Sequence, residues 1–330
     1  MRKFLWLLPG TLTLLTLAGC SGGRHDPTEK YYLVATNVKI PYWQSAASGL
    51  YKSAHQMGVE AEMVGPDTYD AAGERDAFSK AVAKKPAGIM VSPADPTSLA
   101  PEIQSAISQG IPVITMDSDA PDSKRLLFIG TNNYDAGVMG GKAAVKALGD
   151  NKSVVVYTMP GQVNLQERLR GYKDIFAEHG IKIVDTVNIS GDPRVAFDRT
   201  NDIVTQGKLK VDGFVCLEAN ACKEVGDVLD RNKVKGKTVV GMDTYDETLN
   251  WIKKGVIVAT IAQKPFTMGF YGAKVLDDLH HYKPQSLDMN WAADTMAPFP
   301  EFIDTGATLI DKSNVDSYIS ARNAANSEKQ

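Results

Sequence analysis

The chain has 330 residues, 43% of them hydrophobic and 23% charged, with a formal net charge of −3. That length accommodates two α/β domains with separate cores. The slightly acidic balance argues against nucleic-acid binding, which is marked by a basic domain.

Met1-Arg2-Lys3 opens the sequence, an apolar run covers Phe4 to Ala18, and Leu17-Ala18-Gly19-Cys20 precedes a polar Ser21-Gly22-Gly23-Arg24-His25 segment. The run is shorter than a membrane span requires, and its flanks fit an export signal. The tetrapeptide is similar to a bacterial lipobox, in which the cysteine is acylated. Residues 1–19 are therefore expected to be a lipoprotein signal peptide, Cys20 the lipidated residue, and 20–30 a tether to a membrane surface. An ordinary signal peptide with an incidental cysteine is the alternative.

Strands are predicted over 31–37, 59–64, 88–92, 112–117 and 126–130, and helices over 44–57, 71–84 and 97–109, from apolar periodicity. The pattern then restarts. Helices are expected over 135–148, 165–179, 197–206, 222–231, 247–254 and 267–282. They alternate with strands over 153–159, 181–189, 213–217, 238–242 and 259–263. Alternation of this kind implies right-handed βαβ units on parallel sheets, an α/β fold in two similar halves.

Two strands end alike: Val113-Ile114-Thr115-Met116-Asp117 and Val239-Val240-Gly241-Met242-Asp243. Each is a β-branched run suited to burial on both faces, stopped by an aspartate. Ligands in open α/β sheets sit beyond the carboxyl ends of the strands. One carboxylate from each half would thus face a cleft, each able to accept hydrogen bonds from vicinal hydroxyls. Arg168 is expected in the first turn of a helix, where a cation opposes the dipole; a surface ion pair with Glu167 or Asp174 is the plain reading. Asn220 follows a strand, as a ligand group or a helix cap. Gln263 ends a strand just before Lys264-Pro265, suggesting a hinge crossing. Tyr42 and Trp43, after Pro41, suit either stacking on a sugar ring or core burial.

Catalytic signatures are missing. Gly236-Lys237-Thr238 is not a P-loop, because Arg231 stands where the earlier glycine belongs, and no G-x-G-x-x-G or H-E-x-x-H occurs. The five histidines, His25, His55, His179, His280 and His281, read as surface groups. Cys216 and Cys222 could form a disulfide in an exported protein or stay as two buried thiols; without a nearby histidine they suggest no metal site.

Together these residues make the chain resemble the type I periplasmic sugar-binding proteins of the ribose-binding kind, the solute receptors of ABC importers, over about 31–318. The resemblance rests on the two aspartate-terminated strands, on Ala259-Thr260-Ile261-Ala262-Gln263 with Pro265, and on Thr305-Gly306 with Lys312 to Val315. It implies two Rossmann-like lobes joined by a three-strand hinge: 31–131 with 264–291 as the N-terminal lobe, 132–263 with 292–318 as the C-terminal lobe, and 319–330 as a tail. It implies hinge closure on the ligand, an aromatic pair at Tyr42 and Trp43 that sandwiches the sugar, and a hydroxyl-binding ring of Asp117, Arg168, Asn220, Asp243 and Gln263. It also implies a monosaccharide ligand (pentose or hexose), a membrane permease as partner, a monomer, and neither cofactor nor enzymatic activity. Ile40, Ser118 and Pro193-Arg194 depart from the family's usual polar, arginine and aromatic residues, so no particular sugar is inferred. A receptor of this fold for a non-sugar solute, feeding a chemosensory or kinase partner, is the main alternative. A lactose-repressor-like protein would need an N-terminal helix-turn-helix in place of the export signal. A sugar-processing enzyme using Asp117 and Asp243 lacks supporting motifs.

Overall fold

The computed structural model describes residues 25–327 except 208 and 285. The expected signal peptide and Cys20 lie outside the described residues. The first alternating run comprises β1 (Lys30–Val34), α1 (Pro41–Met57), β2 (Glu60–Val64), α2 (Ala71–Ala83), β3 (Gly88–Val91), α3 (Pro96–Ser108), β4 (Val113–Met116) and β5 (Phe128–Gly130). The second comprises α4 (Asn133–Leu148), β6 (Ser153–Thr158), α5 (Val163–Glu178), β7 (Lys182–Asn188), α6 (Pro193–Gln206), β8 (Gly213–Cys216), α7 (Ala219–Arg231), β9 (Thr238–Met242), α8 (Asp246–Lys254) and β10 (Ala259–Ala262). The chain closes with α9 (Pro265–His281), β11 (Phe302–Asp304), β12 (Thr308–Asp311) and α10 (Val315–Ser327).

Four helices begin earlier than apolar periodicity suggests, each with proline as its first residue: Pro41, Pro96, Pro193 and Pro265. Proline is tolerated there because the first helical N–H has no intrahelical partner anyway. Tyr42 and Trp43, which the expected helix over 44–57 leaves out, consequently belong to the first turn of α1. Helix α5 also starts early, at Val163, which moves Arg168 into the second turn and away from the dipole's positive end.

The strands form two six-stranded sheets of matching order, β2-β1-β3-β4-β5-β11 and β7-β6-β8-β9-β10-β12. All pairings are parallel except β10 with β12. Central strands β3, β4, β8, β9 and β10 are buried along their whole length, as sheets covered by helices on both faces require. In the second sheet, Val155 and Tyr157 enter one core cluster while Val154 and Val156 enter another, the period-2 alternation of a strand.

The chain passes between the sheets three times: from β5 to α4, from β10 to α9, and from β11 to β12. The segment 292–318 is divided by the last of these. Phe302–Asp304 pairs with β5 in the first sheet, whereas Thr308–Asp311 pairs with β10 in the second. This corrects the assignment of the whole segment to the C-terminal lobe. Strand β11 is short and largely exposed, so its sequence carries little of the pattern that marks a buried strand, but the Phe302 ring stacks on Phe128.

Each lobe contains one closely packed helix pair held at glycines. Gly49 of α1 abuts the Phe266 carbonyl while Gly269 of α9 abuts that of Ala46; Gly137 of α4 abuts the Arg168 carbonyl while Gly171 of α5 abuts that of Tyr134. A methyl group at any of these would occupy the neighbouring backbone. Gly269→Ala and Gly171→Ala should therefore each destabilise the protein by about 1–3 kcal/mol, read as a lower urea midpoint. Unchanged midpoints in both would show that the pairs are not close-packed.

Candidate functional site

The two sheets present the carboxyl ends of their strands to each other, and a cavity with about 550 Å³ of empty volume lies between them. All seven expected residues, Tyr42, Trp43, Asp117, Arg168, Asn220, Asp243 and Gln263, line it. The lobes are apposed over it. Asn164 of α5 donates to Asp117 Oδ2 across the cleft at 3.3 Å, and Gly191 of the second lobe sits against the Tyr69 side chain of the first.

Asp117 and Asp243 adopt the same backbone geometry. Each follows the last residue of its strand, each has φ of 66°, and each donates its N–H to the strand beyond, to Ile129 and Ile261 respectively. Aspartate tolerates this left-handed region better than most non-glycine residues. The turn ends the strand and aims the carboxylate into the cavity.

The polar groups are tightly interlocked. Tyr42 donates its hydroxyl to Asp117 Oδ1 at 2.6 Å, and Ser92 donates to Oδ2 at 3.3 Å. Gln263 Nε2 donates to Asp243 Oδ1 at 3.0 Å, while its Oε1 accepts from both Arg168 and Thr131 at 3.0 Å. Arg168 also donates to Asn133 Oδ1 at 2.8 Å and to the Leu217 carbonyl at 2.7 Å. It is 2% exposed, which excludes a surface ion pair; Glu167 is bound by Arg170 instead. Gln263 and Thr131 lie on two of the interlobe crossovers, so the network ties the cavity floor to the connections.

Burial pushes the carboxyls of Asp117 and Glu218 above the usual range, opposed at Asp117 by Arg168 and at Glu218 chiefly by the N–H groups of Asn220 and Ala221. Burial likewise pushes Asp243 up to about 7 against the pull of Arg168 and Gln263, with Asp117 and Glu218 adding like-charge repulsion. Burial, reinforced by the Asp117 charge, raises Tyr42 well above the usual phenol value. Arg168 is the one cationic side chain lining the cavity among the described residues.

Several sequence-based readings change here. Asn220 is not the cap of α7: Glu218 is, accepting from Asn220 N at 2.7 Å and Ala221 N at 2.6 Å. Tyr42 and Trp43 do not clamp a ring between them. Consecutive helical residues diverge by about 100°, and their rings meet edge to face at 83° with centroids 5.2 Å apart. Trp43 is fixed by donating Nε1–H to Thr36 Oγ1 at 3.1 Å. Ser118 is fully buried and absent from the cavity wall, and Arg194 is exposed and bonded to Asp192. Cys216 and Cys222 are both buried free thiols in this structure, with no disulfide between them.

Sequence reasoning missed Tyr69, Glu218 and Asn164. Tyr69 occupies the space where a side chain at Gly191 would stand, so the first lobe supplies an aromatic in the region where the second lobe lacks one. Its hydroxyl donates to the Ala94 carbonyl at 3.0 Å. The preceding Pro66-Asp67 and following Asp70 read only as loop chemistry, so no local signal marked it.

Residues 31–283 match the family model of the periplasmic binding protein domain. AraP, an arabinose-binding protein from Geobacillus stearothermophilus, is 32% identical, with 88% of this chain and 99% of that one covered and a TM-score of 0.73. The sugar-binding protein of a sugar ABC transporter from Bacillus halodurans is also 32% identical, covering 88% and 100%, with a TM-score of 0.77. The xylose/arabinose-binding protein XylF of Sulfolobus acidocaldarius is 24% identical over 313 residues, 89% of this chain and 74% of its own length.

A carboxyl whose folded-state pKa exceeds its unfolded value holds its proton more tightly in the fold, so it costs stability as pH rises between the two values. For Asp243 that window runs from 3.8 to about 7. Asp243→Asn should remove this loss, up to about 4 kcal/mol at roughly 1.4 kcal/mol per unit. Urea unfolding of the ligand-free protein at pH 4 and pH 7.5 checks it: wild type should lose more stability over that interval than the variant, and parallel profiles would refute the assignment.

Proposed function

The chain belongs to the periplasmic binding protein domain family, as a type I sugar-binding protein of the ABC-importer kind, and on that premise we propose that it captures a monosaccharide between its lobes and delivers it to an importer's permease. The family implies an extracytoplasmic location. Among the described residues no helix is long and apolar enough to cross a membrane, and the proposed attachment is through lipidated Cys20.

The observation that carries this reading is the cavity itself: a space contributed by both lobes and lined by polar groups together with aromatic side chains. Asp117 and Asp243 accept from sugar hydroxyls, while Arg168, Asn220 and Gln263 donate to sugar oxygens. Tyr42, Trp43 and Tyr69 supply apolar ring faces, with Met159 and Leu165 as the apolar groups of the second lobe. Each hydrogen bond between a charged group and a neutral hydroxyl contributes on the order of 1.5–3 kcal/mol.

A ligand that touches both lobes favours the closed arrangement over an open one, because only the closed arrangement makes both sets of contacts. The permease can then distinguish loaded from empty receptor by shape. Capture needs no chemistry on the sugar, which accords with the relatives being binding proteins. Their names favour arabinose and xylose as first candidates, and hexoses are the other class.

Thermal unfolding against a panel of pentoses, hexoses and polyols tests the proposal, since a ligand that binds only the native state raises the transition temperature. At least one sugar should give a saturable rise, and a flat response to all would overturn the sugar reading. For the sugar that binds, Asp243→Ala should weaken affinity by about 100-fold in calorimetry while ligand-free unfolding stays cooperative. Unchanged affinity would remove Asp243 from the site.

A further inference from the structure

Away from the cleft, ionisable groups from the two ends of the first lobe converge. His25 and Glu29 precede β1, and Asp277, His280 and His281 form the last turn of α9. The Asp277 carboxylate lies between two imidazoles. His25 Nε2 is 3.0 Å from its Oδ2, and His281 Nδ1 is 3.1 Å from its Oδ1. On the other side of the His281 ring, Nε2 is 3.1 Å from Glu29 Oε1. The Tyr31 hydroxyl donates to Asp277 Oδ1 at 3.2 Å. These are not the surface histidines their sequence context suggests: side-chain exposure is 20% for His25, 17% for His281, 13% for Glu29 and 5% for Asp277.

The arrangement poses a problem in donors and acceptors. A neutral imidazole has one N–H and one lone pair. In a neutral His281 ring, whichever nitrogen carries the proton, the other aims its lone pair at an oxygen: Glu29 Oε1 on one side, or Asp277 Oδ1 and the Asp277 main-chain carbonyl, 2.9 Å from Nδ1, on the other. Glu29 Oε2 and His280 Nδ1 are, in addition, buried without a hydrogen-bond partner among the described residues.

We propose that His25, Asp277 and His281 form a binding site for a divalent transition metal of the zinc class. The ligand atoms of these three residues lie within 4.8 Å of one another, and a small contraction brings them to the separation that metal bonds of roughly 2.0–2.2 Å require. Mixed imidazole and carboxylate donors suit Zn²⁺. With the metal on Nδ1, the His281 proton resides on Nε2 and is donated to Glu29, the carboxylate–histidine–metal relay that orients metal-bound imidazoles. The lone pair that would otherwise face the Glu29 carboxylate is then replaced by an N–H donor. The site would pin the segment entering β1 to the end of α9, about 250 residues away in sequence, and so fix where the N-terminal segment leaves the first lobe.

The test is titration of ZnCl₂ into purified full-length protein after chelator treatment, by calorimetry and thermal unfolding. One Zn²⁺ per chain and a raised transition temperature are expected. His25→Gln and His281→Gln should each weaken binding at least tenfold, and Glu29→Gln by about tenfold with unchanged stoichiometry. A Co²⁺-loaded sample should show the visible absorption of a low-coordinate histidine site, lost in the same variants. Undiminished cooperative unfolding in the absence of metal shows that the variants are folded. Absence of Zn²⁺ heat and of any thermal shift overturns the proposal. So does wild-type affinity in the His25→Gln/His281→Gln double variant, which would place the ion on other histidines.

Discussion

Three carboxylates, Asp117, Glu218 and Asp243, are buried around a single guanidinium, that of Arg168. Burying a carboxylate is costly unless it is paired or hydrogen-bonded, and one cation cannot neutralise three. The fold meets the deficit with neutral donors: Tyr42, Ser92 and Asn164 at Asp117, Gln263 at Asp243, and two backbone N–H groups at Glu218. Those donors come from both lobes, so the electrostatics of the cleft and the apposition of the lobes are one problem. A polyhydroxylated ligand brings further donors to the same oxygens. Under the proposed function, a sugar is what completes this acceptor-rich site.

Arg168 is held at three points, by Asn133, by the Leu217 carbonyl and by Gln263. Its own carbonyl is approached by Gly137 of α4, so a close helix contact of the second lobe also sets the backbone from which the guanidinium projects. Gln263 links this group to Asp243 and, through Thr131, to a second crossover. Any hinge movement would therefore be felt at the polar floor of the cavity. The two aspartates at φ of 66° are the mirrored feature around which this is arranged, one from each sheet. A left-handed turn at a non-glycine residue carries some strain, and repeating it in both lobes fits a requirement for carboxylates at those two points.

Much of this was legible in the residues. Apolar β-branched runs mark buried parallel strands by their composition alone, which is why β3, β4, β8 and β9 could be placed and their terminal aspartates assigned to one side. Boundaries were less legible where proline opened a helix, because periodicity starts with the first apolar residue and not with the first helical one. Glu218 escaped notice because Asn220, two residues on, is the residue type that usually caps a helix, yet Glu218 takes that place; only burial beside Arg168 makes it part of the cavity. Tyr69 and Gly191 are 122 positions apart, and nothing local to either announces the other. The edge strand β11 carries only three residues and is mostly exposed, so its pairing with β5 was invisible.

The sequence by itself determined the repeated βαβ plan, the strand-end carboxylates and the absence of catalytic motifs, because these depend on period, composition and neighbours along the chain. Only the tertiary structure decided which lobe holds the segment around 302, which aromatic faces the cavity beside Gly191, and that His25 and His281 share a carboxylate. Those outcomes depend on distances between residues far apart in sequence. Such distances are set by close packing of helices on sheets and by the need to partner every buried polar atom, and both constraints act only once the whole chain has folded.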